Sequence, residues 1–361
     1  MIKQHRPEKL TPIGLSGKGT MALSVIILCL ALTGTAYCSE WKAPARNVRT
    51  TPLPKSALNL KEIPFRIVHE SFRKTDGREN WELRMINADG SNPISLTNTP
   101  NVDEMYPHVS PDGTKISFVV DERTKNGKKI RNVYYMNIDG SGRVKVADNA
   151  RQQCWNPDSK TIAYLKGEFD SYAIKDYATS GLFYYDLKTG QHRQHPNKKL
   201  HHLYNICCSP DGKWFVATVH GGMGFGHAIL AFPASGTEVY SLIKFGVGGC
   251  RPDFDPEGKR ITWGRTDWDL CTGEIDFSGP EPQVSKVKYL IKCGKEYEVY
   301  HTDFSPDGKY IAFSYGPKAG EGVGCKAPGW NICITDMTGR WVQITTDGLH
   351  NKEPDWVPIS N

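Results

Sequence analysis

A chain of 361 residues with 39% hydrophobic and 23% charged side chains can bury one large all-β core or two ordinary ones, and it falls outside the disordered class. Its 45 basic and 39 acidic residues leave a formal charge of +6, and without the first 38 residues the balance drops to +3. So mild a balance, with no basic stripe interleaved with aromatics, argues against nucleic acid as a partner.

The first element is a basic segment (Lys3, Arg6, Lys9, Lys18) leading into the apolar run "MALSVIILCLALTG", Met21 to Gly34. That run is short for a membrane span and is followed by small residues, which predicts a signal peptide over residues 1–38, cleaved after Ala36 or Cys38. Lipidation at Cys38 is an alternative, opposed by the lack of an aliphatic residue three before it and by bulky Tyr37 directly before it. An uncleaved anchor is another. "GLSGKGT", Gly14 to Thr20, lacks phosphate-loop spacing and a preceding strand, and is rejected as nucleotide chemistry. Export places the protein in the periplasm or outside the cell, without a membrane span once the signal is removed. Residues 39–60 read as a linker, and residues 61–361 as the folded domain.

That domain opens with three alternating runs, "PFRIVHESF", "WELRMINADGSN" and "PISLTNTP". A turn motif then recurs: "VSPDGTKISFV" from Val109, "WNPDSKTIAYL" from Trp155, "CSPDGKWFVAT" from Cys208, "FDPEGKRITWG" from Phe254 and "FSPDGKYIAFS" from Phe304. Its prolines are 46, 53, 46 and 50 residues apart. A period near 50 with four short strands (A to D) per unit is the signature of propeller blades. In the motif Pro presets φ, Asp bonds its own backbone and Gly takes the left-handed position, with Ser159 in place of Gly in one copy and Glu257 in place of Asp in another, so the motif's carboxylate is turn structure. The final run "EPDWVPIS" supplies a strand A without B, C or D, and the first unit lacks a strand A. The two should complete one another, closing six blades into a ring with no open edge.

The repeated P-x-W/F-S-P-D-G-K-x-I-A-F pattern resembles the TolB-like, WD-like β-propeller family over roughly residues 60 to 361. The resemblance implies a six-bladed all-β propeller. It leaves function open, because such propellers serve as docking platforms, as gates on peptidases and occasionally as lyases. The chain carries no G-x-S-x-G elbow of the appended hydrolases.

Aligning strand A by its proline orders the candidate site. Two residues before the proline stand Val109, Trp155, Cys208, Phe254, Phe304 and Trp356, an apolar core column. One residue earlier come His108, Cys154, Cys207, Asp253, Asp303 and Asp355, and two further back Tyr106, Gln152, Asn205, Arg251, His301 and Glu353. Alternation puts both polar columns on one face of the innermost strand, towards the central channel. His108, Arg251, Asp253, His301, Asp303, Glu353 and Asp355 are therefore the expected channel-mouth ligand site, or else a hydrated channel with internal salt bridges. No cofactor is identified, although a channel-bound cation fits this set. On the long B–C loops, Tyr172, Trp268 and Trp330 are candidate flat faces for a sugar or a partner side chain. Histidines gather near blades three and four, where they read as surface residues.

Eight cysteines follow Cys38. In an oxidising compartment Cys271 with Cys293, and Cys325 with Cys333, are expected local staples. Taken together, the expectation is an exported, monomeric, non-enzymatic propeller that docks a protein or cell-envelope ligand such as a polysaccharide. The alternative is a polysaccharide lyase working at the channel mouth.

Overall fold

The computed structural model describes residues 51–168, 177–265, 268–318 and 327–358. The signal segment, Tyr172 and Cys325 lie outside them. Six antiparallel four-stranded sheets form the blades of a propeller. The inner strands are His350–Val357 in blade 1, Asp103–Val109 in blade 2, Ala150–Trp155 in blade 3, Leu203–Cys208 in blade 4, Cys250–Phe254 in blade 5 and Tyr297–Phe304 in blade 6.

Blade 1 takes its inner strand from the end of the chain. His350–Val357 pairs antiparallel with Arg66–Thr75, matching Ile67 with Trp356 and Arg66 with Val357. The strands before it, Ile67, Val68, Ile86 and Leu83 among them, are buried against blades 6 and 2. Ahead of the blade, Leu53 forms a parallel bridge to Val342, with its amide 2.8 Å from the Trp341 carbonyl. Leu58, Leu60 and Ile63 are buried beside Ile332, Ile334 and Val342 of blade 6. This stretch of the segment before the propeller therefore covers part of the closure.

The turn motif does two jobs. Within a blade, Ser110, Ser209 and Ser305 each donate to the Asp two residues on, at 2.6, 2.6 and 2.7 Å. Those same hydroxyls accept the amides of Lys115, Trp214 and Tyr310 at 2.9 to 3.0 Å. Between blades, the motif glycines are seated on the preceding blade's proline. A Cβ on Gly212, Gly258 or Gly308 would lie 3.3, 3.3 or 3.5 Å from Pro157, Pro210 or Pro256 respectively. Blade 3 has Ser159 at the glycine position, left-handed at φ 53°, and its hydroxyl accepts the Asp112 amide of blade 2 at 3.0 Å.

The C–D turns pack in the same directional way. Gly90, Gly140 and Gly339 press on the carbonyls of Ile344, Leu96 and Leu290 of the preceding blade. Gly140 has φ +89°, and an added Cβ would sit 2.5 Å from the Leu96 oxygen, whereas Gly127 has φ +77° with open space around it. Gly127→Ala should therefore cost about 1 kcal/mol, the strain of the left-handed backbone alone. Gly140→Ala should cost about 2–3 kcal/mol, because backbone must also shift at a blade contact. Urea unfolding of the two variants checks this, and equal losses would mean the blade contact contributes nothing.

Candidate functional site: the channel mouth

Every inner strand contains the same irregularity. Tyr106, Gln152, Asn205, Arg251, His301 and Glu353 all have left-handed backbone, with φ between 45° and 59°. Pairing with strand B slips by a residue at each of these places, the mark of a β-bulge. Left-handed geometry in non-glycine residues costs free energy and persists only when the surroundings impose it. Here the neighbouring blade does so. The amides of Tyr106, Arg251 and Glu353 donate to Glu70 Oε2 at 2.8 Å, Thr218 Oγ1 at 2.8 Å and Ser314 Oγ at 3.0 Å, each on strand B of the preceding blade. The Asn205 amide donates to Gln152 Oε1 at 2.6 Å.

The bulge separates the two polar columns that simple alternation puts side by side. The bulged column sinks: Arg251, His301 and Glu353 are each only 6% exposed and form an ionic floor. Arg251 Nη1 is 3.1 Å from Glu353 Oε1, and His301 Nε2 is 2.5 Å from the same oxygen. Behind this floor Tyr300 lies under the Arg251 guanidinium at 4.8 Å and against Trp330 at 5.5 Å. Burial, with Arg251 and Lys352 nearby, holds His301 neutral, its pKa well below the ordinary value.

The other column forms the wall and clamps neighbouring blades together. Asp253 Oδ2 accepts the Phe304 amide at 2.9 Å, Asp303 Oδ2 accepts that of Trp356 at 3.2 Å, and Asp355 Oδ2 accepts that of Val109 at 3.0 Å. Indole groups return the link, Trp356 Nε1 to the Asp303 carbonyl at 3.1 Å and Trp155 Nε1 to that of His108 at 2.8 Å.

These wall residues also touch sideways along half the ring. The Cys207 thiol donates to Asp253 Oδ1 at 3.1 Å, Asp303 is in hydrogen-bonding reach of Asp253 and Asp355, and Asp355 Oδ2 is 3.2 Å from His108 Nδ1. Adjacent carboxyls in a narrow, poorly hydrated space cannot all ionise, so they share protons. Burial first, and then the neighbouring carboxyl, push the pKa values of Asp253 and Asp303 well up. Asp355 is raised to about 7, chiefly by burial. The His108 side chain is 38% exposed in the cavity wall, and burial by the surrounding protein pushes its pKa down to about 4.

Wall and floor enclose a cavity of 230 Å³ that reaches Pro111, Pro210, Pro256 and Pro306 of the A–B turns. All seven expected channel residues line it. It opens on the A–B turn face, at the opposite strand ends from the long B–C loops, so the channel site and the loop aromatics are not one surface. Trp330 is fully buried and offers no face to solvent. Trp268 is half-buried and packs on Tyr300 at 4.7 Å. Among the described residues no group of three His, Cys, Asp or Glu side chains is arranged to hold a metal ion.

The expected staple between Cys271 and Cys293 is not formed; both side chains are buried and neither is in a disulfide. The reason is the sheet's two faces. Cys271 packs with Val216 and Phe254 towards blade 4, whereas Cys293 packs with Phe313 and Trp341 towards blade 6. Cys333 is also in no disulfide, and it shares the blade 5–6 layer with Cys293. The bulges and the Cys207 contact are what sequence reasoning missed. Left-handed backbone carries no signature when the residue is Tyr, Gln, Arg or Glu, and only Asn205 and His301 belong to types that favour it.

No family model and no curated protein matches the chain. Similar solved structures include TolB from Acinetobacter baumannii, with a TM-score of 0.60 at 18% identity over 82% of this chain and 67% of that one. A putative TolB from Agrobacterium tumefaciens gives 0.52 at 17% identity, over 82% and 99%. Hydrazine synthase of Kuenenia stuttgartiensis gives 0.55 at 13% identity, over 81% and 46%. Identities this low speak for the fold alone. The chain has a six-bladed β-propeller fold similar to that of the TolB structures.

Asp355 makes a pH test of the wall. For a carboxyl raised from 3.8 to about 7, the folded state binds more protons than the unfolded state between those values. Its contribution is complete at low pH and is lost as pH rises towards 7. Asp355→Asn keeps an acceptor for the Val109 amide but cannot ionise. The stability of the variant relative to wild type should therefore improve from pH 5 to pH 8 in thermal melts. A difference independent of pH would remove the raised carboxyl from the account.

Proposed function

We propose that the protein is an exported, non-enzymatic, monomeric docking propeller whose channel mouth receives a protein or cell-envelope ligand. One observation carries this reading: a proton-sharing run of Cys207, Asp253, Asp303, Asp355 and His108 at the open end of a cavity with a buried ionic floor. A cationic or donor group entering the mouth, such as an amine or a guanidinium, takes the place of a shared proton and leaves the carboxylates ionised. A cavity of 230 Å³ suits the tip of a ligand. Periplasmic or extracellular location rests on the basic and apolar N-terminal segment, and the TolB likeness supports a docking role. Among the described residues no helix is long and apolar enough to cross a membrane.

The test pairs binding with catalysis. Affinity capture from an envelope extract should retain one partner with the wild-type chain and lose at least tenfold of it with Asp303→Leu, roughly the worth of one charge-assisted contact. Uronic-acid polymers should give no new absorbance from unsaturated products. Such absorbance, lost on His301 or Asp303 substitution, would make the protein a lyase instead.

A further inference from the structure

A second cluster lies away from the channel, where blade 1 meets the connection from blade 6. His69, Arg73, Arg84, Pro93, Thr345 and Asp347 line a cavity of 280 Å³ there. His69 and Arg84 are directly paired across strands B and C of blade 1, and Arg73 stands four residues beyond His69 on the same face. Both arginines are half-buried, yet neither makes a hydrogen bond or ion pair among the described residues, and Arg73 Nε is sealed from water without a partner. A guanidinium presents five donors in a fixed fork, and two such forks sharing one cavity are unusual without something to receive them.

His69 forms the floor. His69 is 1% exposed, its Nδ1 is 3.2 Å from the Glu70 carbonyl, and its Nε2 is buried without a partner. A carbonyl only accepts, so Nδ1 carries the hydrogen and Nε2 keeps a lone pair at the base of the cavity.

The charges facing this space are unbalanced. Asp347 is the one carboxylate in the lining, and its Oδ1 is already engaged by the Leu349 amide at 3.1 Å and Asn351 Nδ2 at 2.8 Å. Glu82 also acts on Arg73, but its oxygens are taken by Asn80, Thr97 and the Thr99 amide, and it does not line the cavity. Lys55 adds positive charge at the edge, bonded to the Ile344 carbonyl at 3.1 Å. Arg84 and Arg73 together push against protonation of His69, as burial does first, and the ring is left neutral with a pKa of about 4.

We propose that this groove binds a small oxyanion, a carboxylate or a phosphate group, between Arg73 and Arg84 above His69. Bidentate Arg–oxyanion pairing is the geometry these forks serve, and the cavity lies just under the range of about 300–1,000 Å³ common for drug-sized ligands. The ligand's charged group is therefore single and compact. A seated anion also reverses the field at His69, so the ring gains affinity for a proton when the site is filled.

The full chain is titrated with sodium phosphate and, separately, with sodium acetate, with chloride as control, while NMR follows the His69 ring proton. The expected result is a saturable His69 response to phosphate, acetate or both, with its pKa rising by about one unit or more when the site is filled. Response to only one anion assigns the site to that chemistry. Arg84→Gln and Arg73→Gln should each weaken binding about tenfold. Asp347→Asn, which keeps the Oδ1 acceptor and removes the competing charge, should tighten it severalfold. This opposite direction separates a binding site from a structural cluster even if an arginine variant folds poorly. No saturable response below about 10 mM anion, an equal response to chloride, or weaker binding in Asp347→Asn would overturn the proposal.

Discussion

Everything in this molecule depends on one strand pairing, that of His350–Val357 with Arg66–Thr75. A propeller blade buries both faces only if it has neighbours on both sides, so an open arc would leave two apolar sheet faces in water. Closure by the last strand supplies the missing contacts. It also brings Glu353 and Asp355 into a channel otherwise lined by residues between 107 and 306. Without that pairing there is no floor pair for Arg251, no end for the run of carboxyls and no junction in which Arg73 and Arg84 could face Asp347.

Closure alone does not fix the spacing of the blades. That is set by hydrogen bonds between each blade and the next, most of them donated by the later blade. The left-handed bulge offers an amide that strand B of the preceding blade receives, and the wall carboxylates take amides from the blade that follows. Turn glycines seated on prolines and carbonyls repeat the pattern at the rim. The strain of the bulged residues is thus distributed, with Tyr106, Asn205, Arg251 and Glu353 held by groups that are themselves fixed in another sheet. The same arrangement concentrates polar side chains at the axis, where six strands converge.

Concentration at the axis is what makes the wall chemically distinctive. A single buried aspartate would be a cost; adjacent aspartates in contact with a thiol and an imidazole share protons and remain partly neutral. The blade 1–6 groove shows the opposite imbalance, with guanidinium charge exceeding carboxylate. The molecule therefore offers an acidic, proton-loaded cup on its axis and a basic groove at its seam.

The blades were legible in the sequence because they are local. Pro, Asp and Gly dictate the turn, strand alternation follows from the sheet's period of two, and a repeat near 50 residues counts the units. Even the closing strand could be placed, since a lone strand A at one end and a unit missing its strand A at the other have only one partner each. The seven channel residues were found for the same reason, by aligning copies of one strand. What the sequence could not carry was anything depending on which face a side chain takes after an irregularity, or on what the next blade brings. The bulges moved Arg251, His301 and Glu353 to the floor, opposite sheet faces kept Cys271 from Cys293, and Trp330 left the loop surface for the core. Partners some 50 residues or more apart meet only when the ring closes. The sequence by itself determined the unit and its number; the tertiary structure decided which charges face one another.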